Sequence, residues 1–332
     1  MVSIRPLVLS LVVPASLVAC GGGGDDGGPI VPAGPHHTYV TSEANVPINA
    51  TQSRDFGLDL ASSTDDQPDG VVDNQLGMVL ATLAGQAMFD VQGAITQSVL
   101  QGSIILLVDL QTEDFQSSGA VGMAVKLGSN PQPEPCTDPT MIATCGQHLK
   151  GTGTFQIAAG SPDNAAVTGK IVGGTFNGGP GDLSLQIALG ASPITLDLHG
   201  ARVKSSGMTD TGIDTAIFAG ALLKTDLDNT VIPAIQGQLG PIITRDCTDL
   251  ANPPDCGCMA SSTGKTILGL FDADPKDCAV SVAEIQGNAL IKSLLAPDIC
   301  VADGSNGGKC AQPNALSLGI KAKAVAATFP TE

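Results

Sequence analysis

The chain has 332 residues, with 15 basic against 32 acidic side chains, a formal charge of -17 and 42% apolar residues, so a core can be built and collagen-like or wholly disordered readings fail. Fifteen scattered Lys and Arg make no basic stripe, which argues against nucleic acid or an anionic membrane surface as a partner. Aromatics are 3%, with no Trp and Tyr39 as the single Tyr, which counts against sugar-stacking sites and against the girdles of outer-membrane barrels.

The chain opens with MVSIRPLVLSLVVPASLVA, one early charge at Arg5 and then an apolar run too short to span a membrane but suited to a signal peptide over residues 1–19. Leu17-Val18-Ala19-Cys20 followed by GGGGDDGG resembles a bacterial lipoprotein signal, in which a small residue precedes the Cys whose thiolate receives diacylglycerol. The resemblance implies lipidation of Cys20 and membrane attachment through acyl chains, where stable anchoring takes more than one chain. Gly21 in place of Asp is similar to lipoproteins sorted to the outer membrane, which places the protein in the cell envelope on the periplasmic route. Residues 20–50 are rich in Gly, Pro and Asp without periodicity and are expected to form a flexible linker that includes His36 and His37 as solvated residues. A single body is expected over 51–332.

Leu76, Val79, Leu80 and Leu83 recur at helical spacing behind Asp73 or Asn74 as a cap, and a second short helix is expected after Asp90, burying Val91, Ile95 and Val99. The period then becomes two. Ile104–Val108 reads as a strand buried on both faces, and Val121, Met123, Val125 and Leu127 alternate with small or polar residues, as do Phe155 and Ile157. The stretch GGTFNGGPGD reads as turns, after which Leu183–Leu189 and Ile194–Leu198 form a hairpin around Gly190-Ala191-Ser192-Pro193. Further strands are expected over Ile213–Leu223 and Leu316–Ala324, and helices around Val231–Leu239, Thr266–Phe271 and Val282–Leu295. The expected fold is α+β and β-rich, an antiparallel sheet or sandwich with short helices packed at one side and stapled by disulfides.

Apart from Cys20 there are eight cysteines: Cys136, Cys145, Cys247, Cys256, Cys258, Cys278, Cys300 and Cys310. An even number in an exported chain implies up to four disulfides. Cys136–Cys145 and Cys300–Cys310 each flank a short loop and are expected to pair, while pairing among the other four stays open. Cys256-Gly257-Cys258 is not the CxxC spacing of a zinc knuckle, and an oxidising compartment favours disulfides over zinc.

Within the Cys-rich part, roughly residues 241–312, the run from Thr266 to Ile285 resembles an EF-hand. A hard cation takes six to eight oxygens, which alternate acids on a tight loop turn inward before a closing Glu. The resemblance makes Asp272, Asp274 and Asp277 early ligands, Ala279 a carbonyl ligand and Glu284 the bidentate ligand of a structural Ca2+. It departs from the pattern by one extra residue, by Lys276, and by Cys278 where Gly makes the sharp turn. The bland reading of Ser281-Val-Ala-Glu284 is a capping box. A second acidic run, with Asp65, Asp69 and Asp73 as candidate ligands, is similar to the calcium loops of exported modules, and Asp303–Asn306 is a weaker one.

Enzymatic motifs fail. GKT at Gly264-Lys265-Thr266 lacks the first P-loop glycine, since Met259 holds that position, and no GxSxG occurs. His148 lies beside a cysteine loop, and His199 sits on an alternating strand where a surface role is commoner than a base. The segments GLFDADPKDCAVSVAEIQGNALIKSLLAPDI and NALSLGIKAKAVAATF, with DGVVDNQLG, resemble uncharacterised Asp-rich exported lipoproteins of soil-dwelling predatory bacteria. The resemblance implies localisation and carries no information on mechanism. The expected function is therefore a non-enzymatic, lipid-anchored envelope protein with a structural or binding role. The alternative is an exported hydrolase whose acidic site forms only in the fold.

Overall fold

A strand with every second residue apolar has one face to bury, and eight such strands here bury theirs against one another by curling round a shared interior. The computed structural model describes residues 30–85, 90–188, 193–302 and 308–331. Its strands are β1 (His36–Asn45), β2 (Leu106–Gln111), β3 (Ser117–Gln132), β4 (Gly153–Ile157), β5 (Ala166–Val172), β6 (Thr175–Ile187), β7 (Ile194–Thr209), β8 (Gly212–Leu223) and β9 (Ala315–Thr328). Leaving out β4, each strand pairs antiparallel with the next, and β9 closes on β1, giving an eight-stranded up-and-down barrel. Register pairs such as Val108 with Val125, Leu183 with Leu198 and Phe218 with Ile320 put matched apolar residues side by side. The interior is packed with Tyr39, Met123, Phe176, Leu185, Leu196 and Leu318. Tyr39 keeps its polar tip satisfied by donating to the Thr209 carbonyl at 2.8 Å.

The expected two-faced burial of Ile104–Val108 is present and has a specific cause. Leu106 and Val108 point into the barrel, whereas Ile105 and Leu107 point outward and are covered by Phe155 of β4 and by Phe329. β4 lies across the outer wall, antiparallel to β3 and parallel to β9.

The two ends of the barrel differ. At one end β2–β3, β5–β6 and β7–β8 are joined by short turns, β1 begins and β9 ends. Every long connection leaves from the other end. The β1–β2 connection holds α1 (Ala50–Asp55), α2 (Gln75–Gly85) and α3 (Val91–Leu100). The β8–β9 connection runs from a short α4 (Lys224–Asp226) through a π turn (Leu227–Val231) into α5 (Ile232–Asp246), then α6 (Thr263–Phe271), α7 (Val282–Gly287) and α8 (Ala289–Leu294). That second connection has a core of its own, in which Leu239, Ile243, Ile267, Ile285 and Val280 meet the buried Cys247, Cys256 and Cys278. Four disulfides staple the connections: Cys136–Cys145, Cys247–Cys258, Cys256–Cys278 and Cys300–Cys310.

The β-rich, antiparallel and disulfide-stapled fold with short helices agrees with the sequence reading, but the sheet closes into a barrel where a sandwich was the other expectation. Three further expectations change. Residues 36–45, expected in the linker, form β1 at the heart of the barrel, with Tyr39 and Val40 fully buried. Even the preceding segment is tied down, Ala33 N–H to the Ala120 carbonyl and Thr112 N–H to that of Pro35. Gly178–Gly181, expected as turn, lies inside β6, while Gly173-Gly174 makes the real turn. The helix expected over Val282–Leu295 is two helices broken at Asn288, which leaves helical geometry (ψ 128°) to cap the second with its side chain. The short helix after Asp90 buries Val91, Ile95 and Val99 as expected, and Asn74 rather than Asp73 caps the first, accepting from Gly77 N–H. Cys20, the leader before it, Leu189, the 190–192 turn and Asp303–Asn306 lie outside the described residues.

Candidate functional site

The EF-hand-like segment folds as helix, loop and helix, α6 entering and α7 leaving, and Cys278 adopts the left-handed backbone (φ 64°) that the pattern reserves for glycine. A disulfide to Cys256 holds that strained residue in place. The carboxylates, however, are spent on the loop's own backbone. Buried Asp272 accepts from Asp277 N–H at 3.1 Å and Cys278 N–H at 3.2 Å, and Asp277 accepts from Ala279 N–H at 3.0 Å. Glu284 completes a capping box with Ser281, accepting its N–H at 2.7 Å, and reaches back to Ala273 N–H at 2.8 Å. Partial burial pushes the Glu284 carboxyl up, but the N–H groups of Ser281 and Ala273 with the Ser281 hydroxyl outweigh it and hold the carboxyl below its ordinary range. Asp274 is exposed, next to Pro275.

The second acidic run is used in the same way. Asp65 accepts from the Ser62 hydroxyl at 2.9 Å and Gln67 N–H at 3.2 Å, Asp69 from Val71 N–H at 2.9 Å, and Asp73 from Leu60 N–H at 2.8 Å. Burial, with the charges of Asp298 and Asp69 behind it, raises Asp73 to about 6 against the two backbone donors of Leu60 and Ala61. Among the described residues no group of three or more His, Cys, Asp or Glu side chains is gathered so as to hold a metal ion. The fit to calcium is therefore partial: the helix–loop–helix form and the left-handed turn match the pattern, while the oxygens face backbone donors.

A different constellation, which the sequence did not bring together, lies on the outer wall of β6–β8. There the 60–67 loop and residues 299–302 arch over the barrel and leave a cleft of about 370 Å3 lined by Asp66, Asp182, His199, Arg202, Ala221 and Ile299, among others. Bulges create it. The β7–β8 register shifts between His199 and Arg202, with Gly200 at φ 57° as the extra residue, so that both flanking side chains turn outward while Leu198 and Ala201 stay in the core. On β6 the register shifts across Gly178–Leu183, and Gly179 (φ 109°) lies under Arg202, where an added Cβ would stand 3.1 Å from Arg202 Cγ and 2.4 Å from the Ala201 carbonyl oxygen.

Within the cleft His199 Nδ1 pairs with Asp182 at 3.3 Å, and Asp66 accepts from the Gln67 side-chain amide at 2.8 Å. Arg202 is left over: its Nε is buried without a hydrogen-bond partner among the described residues. The sequence held a signal for this site in the glycines of GGPGD and HGAR, since glycine inside an alternating strand marks a bulge or a close approach. Reading GGPGD as a turn hid it. His36 and His37, expected to be solvated, are paired on β1, His36 with Asp109 at 2.9 Å and His37 with Asp210 at 3.0 Å. Comparison with protein-family models, curated proteins and solved structures finds no match to any of the three.

Proposed function

We propose that this chain is a lipid-anchored envelope protein, held by acyl chains on Cys20, whose barrel stays in water and presents its stapled connections for binding. The observation that carries this reading is the asymmetry of the barrel. The chain enters β1 at the short-turn end, so a tether from Cys20 joins that end, and the three connections that carry the helices and the four disulfides spring from the opposite one. Lys170, Asn177, Asp182, Asp197 and Lys204 stand exposed on the outer wall of β5–β7. A cationic side chain at the lipid midplane costs about 2–4 kcal/mol, so this wall suits water. Metabolic labelling with a fatty-acid analogue tests the anchor. Label on the wild type and none on Cys20→Ser supports it, and an unlabelled wild type overturns it.

Calcium bracing of the 272–284 loop belongs to the same proposal, supported by its helix–loop–helix form and by the left-handed turn at Cys278. Ion uptake would draw Asp272, Asp277 and Glu284 off their backbone donors. A calcium-specific rise in unfolding midpoint that vanishes in Asp272→Asn supports it, and no shift at millimolar calcium reduces the loop to a capped turn. The same cleft brings two carboxylates, Asp66 and Asp182, beside His199, which supports an acidic hydrolase as the second reading.

A further inference from the structure

We propose that the cleft on β6–β8 binds a small organic carboxylate, its carboxylate on Arg202 and its apolar body over Ala221, Ile299 and Val301. The inference rests on the binding role proposed above and not on the lipid anchor. It begins from the unused charge. Arginine carries five donors and no acceptor, and a buried donor left unpaired costs free energy that a partner recovers. In a chain with 32 acidic residues, Arg202 makes no ion pair or hydrogen bond among the described residues, and its Nε is shut off from water. The two acids beside it are committed elsewhere, Asp182 to His199 and Asp66 to Gln67. The bulges of β6 and β7 and the bare Gly179 are what permit Arg202 to lie where it does.

The surroundings select the ligand. A planar guanidinium matches a carboxylate in bidentate fashion. Phosphate also fits that fork, but Asp66 and Asp182 at the rim repel a dianion more than a single charge. Leu60, Ala221, Ile299 and Val301 give the floor an apolar character that calls for an apolar body on the ligand. A volume of about 370 Å3 lies at the small end of ligand sites, the scale of a short acyl acid or a dipeptide. These two sources share the carboxylate and differ at the other end, where Asp66 attracts the ammonium of a peptide.

The test is isothermal titration of the full-length Cys20→Ser chain with hexanoate and with the dipeptide Ala-Leu, against hexylamine and inorganic phosphate as controls. The expected result is binding of hexanoate or Ala-Leu in the millimolar range or tighter, weakened at least about tenfold by Arg202→Met and less by Arg202→Lys, with neither control bound. Tighter binding of Ala-Leu than of hexanoate identifies a peptide C-terminus as the source, and the reverse identifies a free acid. Absence of binding by both probes up to roughly 10 mM overturns the inference. Binding unchanged in Arg202→Met, or phosphate bound more tightly than either probe, also overturns it. None of these outcomes bears on the labelling of Cys20, so the anchor stands or falls separately.

Discussion

His148 is wholly buried, edge-on to Phe155 with ring centroids 6.0 Å apart, and among the described residues neither ring nitrogen makes a hydrogen bond of ordinary geometry. Burial lowers its pKa against a weaker upward pull from the Val99 backbone. The unfolded chain then takes the proton first, so the stability is complete above about pH 6.5 and is lost as pH falls below it. Thermal midpoints measured from pH 7.5 to 5 are expected to drop in the wild type and to drop less in His148→Leu. Asp73 acts with the opposite sign. Its folded value of about 6 exceeds the ordinary 3.8, so its contribution is complete below about pH 3.8 and is lost as pH rises through about 6. Asp73→Asn keeps an oxygen for Leu60 N–H, and its stability relative to wild type is expected to improve steadily between pH 4 and 6. Both residues stood plainly in the sequence. Their environments did not, because His148 is buried by an irregular loop between β3 and β4, and Asp73 by a segment that has no period.

At the level of elements, alternation made β3, β8, β9 and the β6–β7 hairpin legible, and two short cysteine loops gave two disulfides. The other two depended on where α5 and α6 carry Cys247 and Cys278, which no spacing within CTDLANPPDCGC reveals. Cys256–Cys278 ties the long loop after α5 to the turn after α6, a separation of 22 residues. Its removal in Cys256→Ala/Cys278→Ala is expected to cost about 3 kcal/mol in denaturant unfolding. Amide exchange should quicken in α5, α6 and α7 while β2 and β3 keep their protection, because the helical connection has its own core. Glu284→Ala removes the capping box and the link to Ala273, and about 1–2 kcal/mol of stability is expected to go with it in the presence of chelator. An unchanged midpoint in that variant would show that those hydrogen bonds do not brace the loop.

For the whole molecule, the sequence specified strands with one buried face but not what that face meets. A sandwich and a barrel share the same alternation, and the choice rests on β1 pairing with β9 from opposite ends of the chain. The Gly- and Pro-rich neighbourhood of β1 obscured its membership, although Tyr39 and Val40 supply the residues that two faces bury. Closure leaves β4 as the outlying strand and gathers the long connections at one end, away from the start of β1. In the proposed arrangement this barrel sits in water and Cys20 alone joins it to a membrane. The most direct measurement is the fraction of Cys20→Ser chain that stays with membranes after alkaline carbonate extraction, with wild type as reference. The variant is expected to leave the membrane as a folded chain while the wild type remains. A Cys20→Ser chain that resists extraction as firmly as wild type would place the barrel in the bilayer and rule out a barrel held by acyl chains alone.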